Sequence, residues 1–433
     1  MGMGRARDWF TLRLLFKSLS MPSSAPSSPL PAQDPQRLQA LSASYLRCSA
    51  SGQWDQALQA CQQALALVPG HAGIQGDVAL CQMRLGHWQE ARESYLRAVA
   101  LDPNSANLWD GLTEVCGHMG LREEVRRFGA RALALKDAQT AADPGRAVPA
   151  VRPLSEDRRR QVVAFSLFGA RPRYCEAAIL NVQAAAELLP RWVCRFYVDD
   201  TVPVAVVERL RAAGAEVVHL QASQVPDLSA LMWRFLVLAD PGVDRFLIRD
   251  ADSVISSREQ AAVQAWIDSG RAFHLMRDYF THTELLLAGM WGGCNGAWPD
   301  VRTLMAQFLQ SGNHLAARMV DQHFLRQHIW PTVRRSLLSH DPVFGFMDGQ
   351  DFPPHAPHGQ GDDFHVGCDL SAGGVGSESP QPEGSEVRWS LRDASGQVLA
   401  PYVSRVSGGR WYEPCPRPVL ARVRQGEWRV QLD

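Results

Sequence analysis

From Leu38 to about residue 137 the small and apolar positions return on a fixed step of 34. Gly52-Gln53-Trp54 is echoed by Gly86-His87-Trp88 and, more loosely, by Gly120-Leu121-Arg122. Ala57, Ala91 and Val125 keep this step, as do Ala64, Ala98 and Ala132, and then Leu67, Leu101 and Leu135. Pro69 and Pro103 close the first two units, with Asp137 where a third proline would fall. Small residues at fixed offsets let two antiparallel helices approach closely, and a proline ends the second. The pattern therefore predicts three helix pairs, about the fewest that bury a continuous core and leave a concave face for a partner.

After Pro144, Pro149 and Pro153 the period changes. Val162–Leu167, Arg195–Asp199, Glu216–Leu220 and Arg245–Ile248 are short apolar runs that read as strands. Helical stretches at about Tyr174–Leu189, Val204–Ala213 and Leu228–Leu238 separate them. Strand and helix in alternation predict a parallel sheet covered on both faces, with ligands beyond the carboxyl ends of the strands. From about Leu370 a Gly, Ser and Pro-rich link leads to Val387–Leu391, Val398–Ala400 and Trp428–Leu432, whose alternation predicts a small antiparallel β appendage. The expected organisation is a leader over 1–37, repeats over 38–140, a linker over 141–158, an α/β domain over 159–369 and the appendage over 370–433.

Charge narrows the function. Lys plus Arg (44) nearly balance Asp plus Glu (45), which disfavours nucleic acid as the principal partner. Nine cysteines are scattered singly without a C-x-x-C pair, the pattern of reduced, core-filling thiols. The basic and apolar first twenty residues are interrupted by Arg13, and read as an unstructured leader or as a start placed too early, with Met21 the true one. No run approaches the ~18 apolar residues of a membrane span. A cytoplasmic protein is expected.

The fourth strand runs into Arg249-Asp250-Ala251-Asp252-Ser253. In extended backbone Asp250 and Asp252 project to the same side, and two carboxylates at a strand's carboxyl end suit Mg²⁺ or Mn²⁺, which favour hard oxygen ligands and leave positions for phosphate oxygens.

Two family resemblances follow from these residues. The 34-residue unit resembles the tetratricopeptide repeat over about 100 residues, which implies a protein partner or self-association. Strands, helices and Asp250-Ala251-Asp252 together resemble a glycosyltransferase of the GT-A fold, a Rossmann-like α/β domain, with motifs in an order similar to glycosyltransferase family 8. The fold class implied is α plus α/β: tetratricopeptide helical repeats, a GT-A domain and a β-rich tail. The resemblance implies a nucleotide-diphospho-sugar donor, a UDP-sugar first, transferred with Mn²⁺ or Mg²⁺ to a glycan or protein acceptor. It implies donor contacts from Arg234, Asp250, Phe165, Tyr174 and Asp199, and sugar contacts from Arg277 and Asp278. Asp321-Gln322 resembles the family's Asp-Gln element beside the anomeric carbon; Asp321 suits an inverting reaction and Gln322 a retaining one. His340 is implied as third metal ligand beside Asp250 and Asp252, with His355, His358 and His365 as competitors. The family's H-x-x-G-x-x-K-P-W element is absent. A repeat scaffold with an inactive transferase-like domain is the alternative. A two-Rossmann O-linked N-acetylglucosamine transferase would need a longer catalytic region, and a nucleotidyltransferase a phosphate loop that this chain lacks.

Overall fold

The computed structural model describes residues 34–221, 223, 225–312, 319–357, 364–371 and 373–433. The leader up to residue 33, the Met21 start and His358 lie outside the described residues.

Six helices pair in sequence: α1 (Asp34–Ala50) with α2 (Trp54–Leu67), α3 (Ala72–Arg84) with α4 (Trp88–Leu101), and α5 (Ala106–His118) with α6 (Arg122–Gln139). Gly52, Gly86 and Gly120 turn the chain within each pair at φ of 73°, 79° and 73°, a left-handed conformation that a Cβ disfavours. Ahead of Pro69 and Pro103 the second helix of the pair has 14 residues, whereas α6, with Asp137 in the proline's place, has 18.

The second layer is a seven-stranded sheet ordered β3-β2-β1-β4-β6-β5-β7. Its strands are β1 (Gln161–Leu167), β2 (Val193–Val198), β3 (Glu216–His219), β4 (Arg245–Arg249), β5 (Phe273–Met276), β6 (Met290–Cys294) and β7 (Leu337–His340). The expected parallel arrangement holds for β3-β2-β1-β4, but β6 runs antiparallel to both β4 and β5. The glycine-rich stretch Gly289–Gly293 is largely this buried strand. A Cβ on Gly292 would fall 2.6 Å from Leu247, and one on Gly293 would fall 2.3 Å from Phe273, so the glycines make room for neighbouring side chains. Helix α7 (Pro172–Leu188) follows β1, α8 (Val204–Ala212) follows β2, α9 (Ser257–Asp268) follows β4 and α10 (Val301–Gln310) follows β6. The stretch expected as a helix before β4 is a ten-residue 3₁₀ helix, Ala230–Ala239.

The repeats and the sheet share one core. Leu108, Leu112, Phe128 and Leu133 of the last repeat cluster with Phe235, Trp330 and Phe344 of the α/β domain. Asp137 accepts a hydrogen bond from Trp330 Nε1 at 2.7 Å and pairs with Arg334 at 2.8 Å. The residue that replaces the third proline thus both extends α6 and ties it to the sheet. The proline-rich boundary is pinned too, with Arg146 N–H donating to Thr332 Oγ1 at 2.8 Å. This packing joins the last repeat to the α/β domain, a contact that local periodicity does not disclose.

The tail is a five-stranded antiparallel sheet ordered β12-β9-β10-β11-β8, with strands β8 (Gly374–Glu378), β9 (Glu386–Asp393), β10 (Val398–Ser407), β11 (Arg410–Pro414) and β12 (Trp428–Leu432). Trp389, Tyr402 and Trp411 pack against the α7 side of the large sheet, where the Tyr402 hydroxyl donates to Glu176 at 2.6 Å.

Candidate functional site

From β1 the sheet grows to β2 and β3 on one side, and the chain then returns to place β4 on the other. This reversal is the switch point at which such sheets form their ligand crevice, beyond the carboxyl ends of β1 and β4. Phe168 and Gly169 leave β1 there, Asp199 leaves β2, and Asp250 and Asp252 leave β4.

Strand β4 ends at Arg249 and the chain turns, so the extended geometry expected for Asp250 and Asp252 does not continue. Different arginines hold the two carboxylates. Arg234, 4% exposed, is hydrogen-bonded to Asp250 and donates to Asp321 Oδ2 at 2.8 Å. Burial opposes charge on this guanidinium, but Asp250 and Asp321 outweigh it and raise its pKa. Arg173 Nη2 lies 2.5 Å from Asp252 Oδ2 and 3.0 Å from Asp369 Oδ2, so one positive atom sits between two carboxylates. Burial, then the Asp250 charge, push the Asp252 carboxyl up to about 6. Tyr174 lies under the Arg173 guanidinium, 4.6 Å from ring centre to carbon, and burial with the nearby Asp252 raises its phenol. A Cβ on Gly289 would lie 2.0 Å from Asp250 Oδ2, so bare backbone is required against that carboxylate.

Other expected site residues are placed differently. Phe165 is fully buried and stacked on Phe196 at 4.6 Å, which makes it core; Phe168, 38% exposed beside Trp233, is the aromatic at the crevice. Asp199 accepts from Thr201, whose hydroxyl accepts from Gly169 N–H at 2.6 Å, joining the ends of β1 and β2. Arg277 is fully buried against Asp341 and two carbonyls, out of reach of a sugar. The Asp278 carboxylate is likewise engaged, by Arg258 at 2.6 Å and Val366 N–H at 3.1 Å. His340 closes β7, three strand spacings or about 14 Å from β4. It cannot join Asp250 and Asp252, and burial lowers its pKa to about 4. Of its competitors, His355 meets Arg258 at 3.3 Å and His365 stacks on Tyr279 at 4.0 Å. Among the described residues no group of three or more His, Cys, Asp or Glu is disposed to hold a metal ion. Asp321, on α11 (Val320–Phe324), accepts from Gln322 N–H at 2.9 Å, and Gln322 Oε1 is buried without a partner among the described residues.

The resemblance implies a nucleoside cradle at the Phe165–Gly169 strand end and the Arg171–Tyr174 turn, which contain Phe168 and Arg173 without singling them out; Asp369 was missed. Asp369 is drawn in because Leu370 N–H donates to Asp252 O at 3.3 Å. A cavity of about 390 Å³ lies elsewhere, at the amino ends of β1 and β4 between Arg160, Asp244 and Arg245. Its polar groups largely satisfy one another, with Arg160 bonded to Asp244 at 2.5 and 2.6 Å, so the convergent charges and not the cavity define the site.

Burial pushes Asp278 and Asp321 each up to about 6, against the opposing arginines Arg258 and Arg234. Both folded values lie above the ordinary carboxylate value of ~3.9, so between about pH 4 and 6 the native chain binds the extra protons and these groups lose stability as pH rises. Raising the pH from 4.5 to 7 should therefore shift the urea midpoint in a more stabilising direction in Asp278→Asn than in the wild type. An unchanged shift would contradict this.

The comparisons with known proteins bear first on the repeat region. Residues 49–115 match the tetratricopeptide-repeat family model. Among solved structures, the Yersinia enterocolitica type III secretion translocator chaperone SycD is 18% identical, covering 23% of this chain and 76% of its own, with a TM-score of 0.23. The Arabidopsis OM64 TPR domain is 16% identical over 24% of this chain and 84% of its own, also at 0.23. A Thermobaculum terrenum O-GlcNAc transferase mutant is 18% identical over 51% of this chain and 47% of its own, at 0.28. No curated protein matches the chain.

Proposed function

We infer that the α/β domain is a GT-A glycosyltransferase, with family 8-like motif order, that uses a nucleotide-diphospho-sugar and a divalent metal. The observation that carries this reading is Arg234, buried between Asp250 at the end of β4 and Asp321 on α11. Asp252 and Asp369 already converge on a positive atom, Arg173 Nη2, a donor set that fits a hard cation. Two carboxylates with phosphate oxygens completing the shell are a usual Mg²⁺ arrangement, so Asp252 and Asp369, with Asp250 beside them, would hold the metal. Bound there, Mn²⁺ or Mg²⁺ would neutralise charge on the departing diphosphate.

The chain's own groups supply the rest. Phe168 offers a ring to the base, with a UDP-sugar the leading donor. Arg173, released from its carboxylates, faces the diphosphate; Arg234 fixes Asp250 and Asp321 in place by bridging them. Asp321 is committed to Arg234, whereas the Gln322 carbonyl oxygen has no partner among the described residues. This favours Gln322 as the polar group beside the anomeric carbon and a retaining outcome. The acceptor is a glycan or a protein in the cytoplasm, and the repeats bind a protein partner or a second copy.

A scaffold with an inactive transferase-like domain is favoured by one observation, the lack of three grouped metal-ligating side chains among the described residues. Turnover separates the two. Incubation with UDP-sugars and Mn²⁺ should release UDP in the wild type and not in Asp252→Ala. Nucleotide binding without release would favour the scaffold.

A further inference from the structure

The arm and the crevice are joined by a buried charge network. Lys136, on the last helix of the repeats, is completely buried. Its ammonium meets Asp110 of its own repeat at 2.7 Å, Glu284 at 3.0 Å and the Thr283 carbonyl at 2.8 Å. Arg326 grips the same Glu284 with contacts of 2.5, 2.6 and 3.2 Å. Two cations and two carboxylates thus balance where the arm meets the sheet. Burial opposes ionisation of Glu284, yet Arg326 and Lys136 hold its carboxyl down to about 2.

Glu284 sits between the arm and both sides of the reacting centre. Arg326 lies in a π-helical turn, Leu325–Ile329, that continues directly from the α11 turn carrying Asp321 and Gln322. Such turns are rare wide insertions in α-helices, frequent at functional sites. In the other direction the chain runs five residues from Glu284 to Gly289, whose backbone abuts the Asp250 carboxylate. Asp250 and Asp321 are the two carboxylates that Arg234 joins.

The geometry points to Lys136 as a positioning residue: through Glu284 and Arg326 it sets the α11 turn against Asp250, so the third repeat is a wall of the reaction site as well as an interaction surface. This rests on the transferase reading for its catalytic consequence, but not for its mechanical one. A merely adhesive lysine would stabilise the junction without fixing α11 in particular.

Lys136→Met alone leaves an uncompensated buried carboxylate and risks unfolding. The double variant Lys136→Met/Asp110→Asn keeps the charges balanced and removes the ammonium's ties to Glu284 and the Thr283 carbonyl together with its pair with Asp110. Arg92→Ala, which breaks an outer pair with Glu124 in the same arm, is the control. Hydrogen exchange in full-length protein should show the amides of residues 320–324 opening about tenfold faster in the double variant, a typical coupling between neighbours. Amides of α2 and α3 should be unchanged, and the control should match the wild type. With a UDP-sugar, kcat should fall at unchanged KM. Unchanged exchange at 320–324, or a rise spread evenly over the chain, overturns the proposal. A wild type without turnover sinks the donor reading and leaves exchange to decide the positioning claim.

Discussion

Arg234→Met is expected to destabilise the protein by about 3–5 kcal/mol at pH 7, the usual cost of removing one partner from a buried ion network. The side chain is 4% exposed and lies between two carboxylates, Asp250 and Asp321. Without the guanidinium the buried Asp321 carboxyl, already pushed up to about 6, loses the charge that opposes that shift and keeps the repulsion of Asp250. The loss should therefore be smaller at pH 5 than at pH 7, because the variant's native state takes up protons that the unfolded chain does not. Urea unfolding of both proteins at the two pH values measures it. A loss under about 1 kcal/mol at pH 7, within the range of ordinary surface substitutions, would show that the three side chains are not coupled.

Removing residues 1–140 should leave an α/β chain that does not fold alone. Phe280, Trp330 and Phe344 pack against the last repeat, with Phe344 over Gly129, Phe280 over Gly117 and Trp330 bonded to Asp137. Exposing three such side chains forfeits about 1.5–3 kcal/mol each at full burial. The sum rivals the whole stability of a typical domain, about 5–15 kcal/mol. The full chain should accordingly unfold with the repeats and sheet in one transition, whereas the 141–433 fragment should be aggregated or lack a cooperative melt. A fragment that melts cooperatively near the full-length midpoint would contradict the shared core.

How much of this was legible in the sequence depends on whether a feature is local. The 34-residue step locates the helix pairs because each unit meets the same packing problem, and the positive φ at Gly52, Gly86 and Gly120 is its geometric counterpart. Asp250, Asp252 and Arg234 were visible because a strand end and the helical stretch before it dictate where they stand. Phe165 misled because every residue of β1 is buried, so no alternation tells an inward ring from one at the exit. Phe168 reaches the crevice only because the strand stops at Leu167. His340 misled for a different reason: closeness in chain order to an apolar run says nothing about strand order, and β6 and β5 intervene. Asp369 follows Asp252 by more than a hundred residues and Lys136 precedes Glu284 by more than that, so neither pairing leaves a local pattern. Sequence signals of this kind find the scaffold's rows and miss the charges that lock them together.

The central claim is that the crevice beyond β1 and β4 binds a metal–nucleotide complex. Calorimetric titration of UDP, with GDP and CDP as comparisons, into the full-length protein with and without Mn²⁺ tests it most directly, repeated on Asp252→Ala. The account predicts binding of UDP that requires Mn²⁺ and disappears in Asp252→Ala. No heat with any nucleotide in the presence of Mn²⁺, or binding that survives in Asp252→Ala, would contradict it.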